Sequence, residues 1–292
     1  MATQQNESQI VEQTPAQFVS VNGHGRIEEP VSLDGMAVSE EEYWAEYYEK
    51  ADISYEWNNG ILEEKPSADY RRATQYGWFL ILLRAYLETH PVAKMLFLEM
   101  GFRLALSNKT TIRKPDLFVI RNDNPVPLGD RDFTYRGIGD LCVESLSVST
   151  KKEIERDTVV KKSEYEGIGV QEYYILDPDD RTVFYQRNSL GKFEPLEADA
   201  EGILRSQVLP GFQFRVAHLF SLPTLEDLAD DPIYSSYILL KYQTMKQRAE
   251  LAKKRTELAK ERTELAEERV AAEKARADRY AAILRDLGIP GK

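Results

Sequence analysis

Two carboxylates inside apolar runs constrain the fold of this chain more than any other feature. Asp116 opens the apolar run 117–120, and Glu144 lies inside the run 141–146, so each acid should lie on a mostly buried strand. A buried carboxylate needs a partner, usually a cation, because an unpaired charge is costly to remove from water. The fold must therefore bring a cation to these two strands.

The cation that the pattern places best is Lys161. The segment from about 151 to 167 predicts a helix, and Lys161 shares its inward stripe with Thr158 and Tyr165. Mg²⁺ binds through one or two carboxylates together with substrate oxygens and waters. A lysine beside it can orient the attacking water or offset developing negative charge. The three side chains thus fit a divalent-metal site that hydrolyses a phosphodiester.

Each of these residues also has a plainer interpretation. Asp116 could simply end a turn. Glu144 could form an ion pair with Arg113 or Lys114. Lys161 could carry its ammonium group to the surface along its methylene stem. Spacing alone leaves these alternatives open.

Five segments of the chain carry a resemblance to known proteins. They are YEWNNG (55–60), RKPDLFVI (113–120), VESLSVST (143–150), Asp157 with Lys161 and Tyr165, and GVQEYYILDP (169–178). Together they resemble the Uma-two family of putative restriction endonucleases, in the PD-(D/E)xK nuclease superfamily, over about residues 38–220. The resemblance implies an α/β fold (an α+β mixed sheet) with a restriction-endonuclease-like αβββαβ core and metal-dependent cleavage of nucleic acid.

The resemblance also implies roles for single residues. Asp116 and Glu144 correspond to the two metal-binding acids of the superfamily, with Mg²⁺, or alternatively Mn²⁺, as the cofactor. Two residues after Glu144, where the motif has lysine, this chain has Leu146. The family resemblance moves the catalytic lysine to Lys161, which agrees with the inward stripe. Glu56 is predicted as a further catalytic acid from an N-terminal element, with an exposed cross-strand acid as the alternative.

Composition and local pattern divide the chain into three parts. Residues 1–36 are polar and lack a sustained period, which predicts a flexible N-terminal segment. Residues 37–230 hold the predicted nuclease domain. Within it, the segment 94–106 predicts one long strand, or two strands with a bulge at Gly101. Residues 231–292 predict a long charged helix that starts at Asp231 and ends near Leu287.

The C-terminal helix contains a heptad-length repeat of Leu251, Leu258 and Leu265. The seam is narrow, because Arg255 and Arg262 fall between the leucines. The helix is therefore either a coiled-coil arm that forms a homodimer or a solvated charged helix.

The distribution of charge bears on the partner. Residues 241–292 carry 14 Lys and Arg against 9 Asp and Glu, so this segment is +5 and the rest of the chain is −16, within a net charge of −11. An acidic body does not suit nonspecific binding to DNA. If DNA is the partner, either the cleft has a local basic rim or the basic C-terminal segment contributes to holding the strand. Otherwise the chain is a nuclease-fold module that binds nucleic acid or a protein with little catalysis, or an assembly protein acting through its helix.

The remaining features indicate a cytoplasmic protein. No apolar run approaches the roughly 20 residues that cross a bilayer, and the start of the chain has no secretory pattern. Cys142 is the single cysteine, so an internal disulfide is excluded. We expect no contact with a membrane.

Overall fold

The structure, a computed structural model, describes residues 30–97 and 99–286. It divides into two compact units. The first contains the described residues up to Ser67 together with Arg103–Lys114, and the second contains the rest. Most of the predicted N-terminal segment 1–36 and the predicted end of the last helix lie outside the described residues. The boundaries at 36/37 and 230/231 stay predictions.

The secondary structure is mixed. The helices are α1 (Glu40–Glu42), α2 (Tyr70–Thr89), α3 (Lys151–Glu155), α4 (Lys162–Ile168), α5 (His218–Ser221), α6 (Leu225–Ala229) and α7 (Leu240–Asp286). The strands are β1 (Tyr55–Asn58), β2 (Ile61–Glu64), β3 (Ala93–Phe97), β4 (Phe102–Ala105), β5 (Thr110–Arg113), β6 (Leu117–Arg121), β7 (Leu141–Ser145), β8 (Glu172–Leu176), β9 (Val183–Arg187), β10 (Phe193–Pro195), β11 (Ile203–Arg205) and β12 (Gln213–Arg215). Tyr43–Tyr47 and Arg156–Lys161 are π-helical, and Pro232–Tyr234 is a 3₁₀ turn.

The first unit is built on a four-stranded sheet in the order β2-β1-β5-β4. Its β1-β2 hairpin closes where the sequence predicts, since Asn59 and Gly60 have φ angles of 49° and 97°. Asn and Gly adopt this left-handed conformation more readily than other residues. Tyr43, Tyr55 and Trp57 are buried in one apolar cluster against this sheet.

The second unit is built on a six-stranded sheet in the order β10-β9-β8-β7-β6-β3. Strands β3, β6 and β7 pair antiparallel, and β7 pairs parallel with β8. A parallel pair needs a long crossover, and here α3 and α4 supply it. With α2 ahead of β3, the elements follow the predicted αβββαβ order. The predicted fold class is therefore confirmed.

The two faces of β7 have different environments. Leu141 and Val143 belong to the core cluster that includes Phe79 and Leu83 of α2. Because side chains alternate along a strand, Glu144 projects from the opposite face. A carboxylate is thereby placed on the side of the sheet that the crossover helices cover.

The crossover is an α-helix, a π-helical turn and a second α-helix, where the sequence predicts one regular helix. It starts at a capping box, in which Thr150 Oγ1 accepts from Glu153 N and the Glu153 carboxylate accepts from Thr150 N. It ends at Gly169, which has a φ of 107°. Lys161 closes the π-helical turn and is 2% exposed, so it lies on the inward side as the stripe predicts.

Two predicted elements are wrong in detail. The segment 94–106 is not one bulged strand, because β3 and β4 belong to different sheets. The C-terminal helix does not run unbroken from Asp231, since Leu239 has a φ of 46° and α7 begins after it. Leu251, Leu258 and Leu265 on α7 are 52–56% exposed.

Within the described ranges, no helix combines the length and apolar character needed to cross a bilayer.

Candidate active site

A buried ion pair joins β7 to the crossover helices. Lys161 Nζ lies 3.0 Å from Glu144 Oε1, and each residue is 2% exposed. Two alternatives from the sequence are therefore wrong. Glu144 has Lys161 as a cation partner, so it is not an acid that pairs with Arg113 or Lys114 alone, and the Lys161 ammonium is buried instead of reaching the surface.

Two further side chains of the crossover contact this pair. The Tyr165 hydroxyl donates to the same Glu144 oxygen at 2.9 Å, and Asp157 Oδ1 lies 3.4 Å from Lys161 Nζ. Asp157, Lys161 and Tyr165 follow one another at intervals of four residues, which places them on one side of a helix. The sequence predicts a catalytic role only for Lys161. The i, i+4 spacing around it is the signal that could have identified the other two.

Asp116 lies beside Glu144 at the start of β6. Its Oδ2 accepts a hydrogen bond of 2.8 Å from the backbone N–H of Ser145, the residue that follows Glu144. β6 and β7 are antiparallel neighbours, with Leu117 opposite Val143. Asp116 is half-buried, whereas Glu144 is buried. Asp116 therefore does more than end a turn, because its carboxylate ties two strands together next to the ion pair.

The hydroxyl of Tyr76 on α2 is affected by the charges of both carboxylates. Its hydroxyl donates to the backbone carbonyl of Asp116 at 2.7 Å. Burial raises the pKa of Tyr76, and the negative charges of Asp116 and Glu144 raise it further. Both acids thus act electrostatically on one neighbouring group, as expected if they share a site.

Arg72 is a cation near this site that sequence reasoning missed. Its Nε donates to the carbonyl of Leu146, two residues beyond Glu144, at 2.8 Å. The guanidinium also lies 3.5 Å from Asp177 and 3.6 Å from Asp179, and it contacts Asp69. Only the contact with Asp69 is local, and it marks a helix start rather than a site; the other partners of Arg72 lie up to about a hundred residues away in the chain.

Glu56 lies in the first unit, whereas Asp116, Glu144 and Lys161 lie in the second. Its carboxylate accepts from Arg113 at 3.0 Å and from the backbone N–H of Lys114 at 2.8 Å. Glu63, opposite it on β2, accepts from the same Arg113. The alternative of an exposed cross-strand acid is wrong, because Glu56 is fully buried. A catalytic role for Glu56 stays a prediction.

The donor set at Asp116 and Glu144 fits a hard divalent cation that also takes substrate and water oxygens. Within residues 30–97 and 99–286, no group of three or more His, Cys, Asp or Glu side chains is arranged to hold a metal by itself. Mg²⁺ does not require such a cage, since it is usually held by one or two carboxylates plus phosphate oxygens. A carboxylate offers about four lone-pair positions, so an acid that accepts hydrogen bonds from the protein can also bind a cation.

Comparisons with known proteins give a family and a solved structure that the chain resembles. A family model described as Uma2, putative restriction endonuclease, matches residues 40–217, which is more than half of the chain. A solved structure from Anabaena variabilis ATCC 29413, described as a putative nuclease belonging to DUF820, is 15% identical in sequence. The alignment has a TM-score of 0.45 and covers 59% of this chain and 92% of that chain. No curated protein matches the chain.

Proposed function

The chain belongs to the Uma2 family of putative restriction endonucleases, as its five segments predict, and from that premise we propose that it is an endonuclease that hydrolyses phosphodiester bonds of DNA with a bound divalent cation. The observation that carries this proposal is the buried Glu144–Lys161 pair beside Asp116. Apolar residues can often replace both partners of a buried ion pair without loss of stability, so stability alone is a weak reason for a pair in this position.

Asp116 and Glu144 are the residues that would hold the cation, Mg²⁺ or alternatively Mn²⁺. When bound, such an ion activates a water and offsets charge on the phosphate. Lys161 places a positive charge where the attacked phosphate becomes more negative. Tyr165 and Lys161 both donate to one Glu144 oxygen, so they hold this carboxylate in one orientation. Hydrolysis then adds water to phosphorus, and the departing sugar oxygen takes up a proton.

Cleavage and metal binding are tested together on the full chain. Supercoiled plasmid and single-stranded DNA are incubated with Mg²⁺, Mn²⁺ or EDTA, using the wild type and the Asp116→Asn and Glu144→Gln variants. We expect cleavage by the wild type with either metal, and none with EDTA or with either variant. Mg²⁺ should also raise the Tm of the wild type by mass action, and should raise that of the variants less.

A matched control is Glu155→Gln, which changes an exposed acid on α3. It should cleave and respond to Mg²⁺ like the wild type. Equal stabilisation by Mg²⁺ in all four proteins would place the metal elsewhere. If the wild type binds DNA without cutting it under any metal condition, the alternative function applies, which is a nuclease-fold module with little catalysis.

A second copy of the chain is the partner that we propose for α7. Ala252, Thr256, Ala259, Thr263 and Ala266 recur at alternating intervals of four and three, and all are exposed. This is heptad spacing, and the leucines at 251, 258 and 265 flank it. Residues 241–262 carry 8 Lys and Arg against 3 Asp and Glu, whereas residues 263–286 carry 5 against 6. These charges favour an antiparallel pair, in which the basic half lies opposite the other.

A further inference from the structure

A small cavity lies at the first turns of α2 in the second unit. Its volume is about 150 Å³. The first turns of α2, the segment after β8 and the end of α5 form its walls. The side chains in these walls include Tyr70, Arg71, Gln75, Pro178, Leu219 and Phe220. A cavity of about 150 Å³ admits one planar ring, since an apolar cavity of this size binds benzene.

Gln75 supplies a polar group in the wall of this cavity. The residue is 1% exposed, and its Nε2 donates to the carbonyl of Leu219 at 3.2 Å. Its Oε1 is buried and accepts no hydrogen bond from any residue in the described part of the chain. A buried acceptor without a donor is unfavourable, so the Gln75 amide would gain by turning its oxygen toward an occupant of the cavity that carries an N–H group.

Two aromatic side chains that line the cavity are exposed. Tyr70 is 85% exposed and Phe220 is 45% exposed. Arg71 donates to Asp179 at 2.7 Å and to the carbonyl of Pro178 at 3.0 Å, which fixes the Pro178 wall next to α2. Exposed aromatic rings around a ring-sized cavity match the way in which proteins bind unstacked bases.

Helix α2 connects the cavity to the candidate active site. Tyr70, Arg71 and Gln75 line the cavity, while Arg72 and Tyr76 bond to the carbonyls of Leu146 and Asp116. Opposite sides of a helix are about 10–12 Å apart. Successive phosphates are about 3.4 Å apart along the axis of a stacked duplex strand and farther apart in an unstacked strand, so that span corresponds to about three nucleotides or fewer.

We propose that this cavity binds one unpaired nucleobase of the strand that is cut, a few nucleotides from the cleaved phosphate. The base stacks on Tyr70 or Phe220, and a ring or exocyclic N–H donates to Gln75 Oε1. The size of the cavity favours a pyrimidine over a purine. This inference rests on the proposed nuclease function, and it deepens that function by defining the substrate as DNA with an unpaired base.

Binding in EDTA tests the cavity without any cleavage. Fluorescence anisotropy measures the affinity of the full chain for labelled oligothymidylate and for the same strand in a duplex. The wild type should prefer the single strand. Of Tyr70→Ala and Phe220→Ala, the variant that removes the stacking ring should weaken single-strand binding about tenfold or more, the scale for losing one stacked base. Phe133→Ala, which removes an aromatic ring that is 72% exposed elsewhere in the same unit, should have no effect.

A chemical probe tests the hydrogen bond to Gln75. An oligothymidylate in which every base is 3-methylthymine has lost the N3–H donor. The wild type should bind it more weakly than the unmodified strand, and Gln75→Leu should bind both strands equally. Thermal melting of each variant checks that the fold is kept.

Three results would rule out a nucleobase as the occupant of the cavity. They are equal affinity of wild type and cavity variants, no single-strand binding in EDTA, and displacement of the strand by N-acetylphenylalaninamide but not by thymidine. The last would identify an aromatic peptide side chain as the occupant. If the variants lose binding but the wild type never cleaves, the cavity stands and the nuclease proposal fails. If cleavage occurs and cavity variants bind and cleave as the wild type does, only the cavity proposal fails.

Discussion

The Glu144–Lys161 pair can be tested for stability and for cleavage with the same set of variants. Both side chains are 3% exposed, and Nζ lies 3.0 Å from Oε1. At an effective dielectric constant of about 20, a charge pair at this distance attracts by roughly 5 kcal/mol before the cost of desolvation. Lys161→Met removes the ammonium and leaves the Glu144 carboxylate buried without this cation.

We expect Lys161→Met to lower the free energy of unfolding by about 3–5 kcal/mol, the usual cost of removing one partner of a buried pair. The double variant Glu144→Gln with Lys161→Met should lose less than the sum of the two single changes, because residue 144 then carries no charge that Lys161 has to balance. Asp157 loses its 3.4 Å contact with Lys161 in the single and in the double variant alike. Cleavage should fall by about 10²-fold or more in Lys161→Met, and it should not recover in the double variant. The free energy of unfolding would then depend on whether the charges of the pair balance, whereas the cleavage rate would depend on the presence of Glu144 and Lys161.

The measurements are urea unfolding followed by circular dichroism and single-turnover cleavage of supercoiled plasmid with Mg²⁺. Lys162→Met is the matched control, since it makes the same change one residue along the crossover. Lys162 Nζ lies 4.6 Å above the Tyr185 ring, and losing this contact should cost about 0.5–1 kcal/mol and leave cleavage unchanged. If Lys161→Met is destabilised but cleaves at the wild-type rate, the pair is structural and the proposed role of Lys161 is wrong.

Three other predictions concern Tyr165, Glu172 and α7. Tyr165→Phe removes one donor to the Glu144 carboxylate and should slow cleavage about tenfold or more in the single-turnover assay; an unchanged rate would show that Lys161 alone orients Glu144. Burial raises the pKa of Glu172 in the folded state, so its contribution to stability is present below the unfolded pKa and is lost as pH rises through the folded pKa. Glu172→Gln should therefore gain stability relative to the wild type on titration upward from about pH 4.5, by about 1.4 kcal/mol per unit of pKa shift; parallel curves in urea would contradict this. Deleting residues from 247 onward, which keeps the 2.6 Å contact of Lys246 with Asp230, should halve the mass seen by light scattering without moving the unfolding midpoint; an unchanged mass would contradict the dimer.

Local periodicity was enough to predict the elements that carry the candidate site. Alternation along β7 separates Glu144 from Leu141 and Val143, and the stripe on the crossover turns Lys161 inward even though a π-helical turn interrupts it. The αβββαβ core was implied by the resemblance to the Uma2 family, whereas short-range pattern gave the period of each helix or strand and which of its faces is apolar. The same reasoning predicted a long charged helix at the end of the chain.

Only the tertiary structure decided which charges meet. From the sequence, Arg113 was as good a partner for Glu144 as Lys161 was, yet Arg113 pairs with Glu56 and Glu63 in the first unit. Arg72 likewise finds its acceptors at the end of β7 and in the turn after β8. Strand order and crossover direction set these pairings, and neither is written in the spacing of neighbouring residues. A charge that must be buried takes the partner that the sheet brings within about 3 Å, however far away that partner lies in the chain.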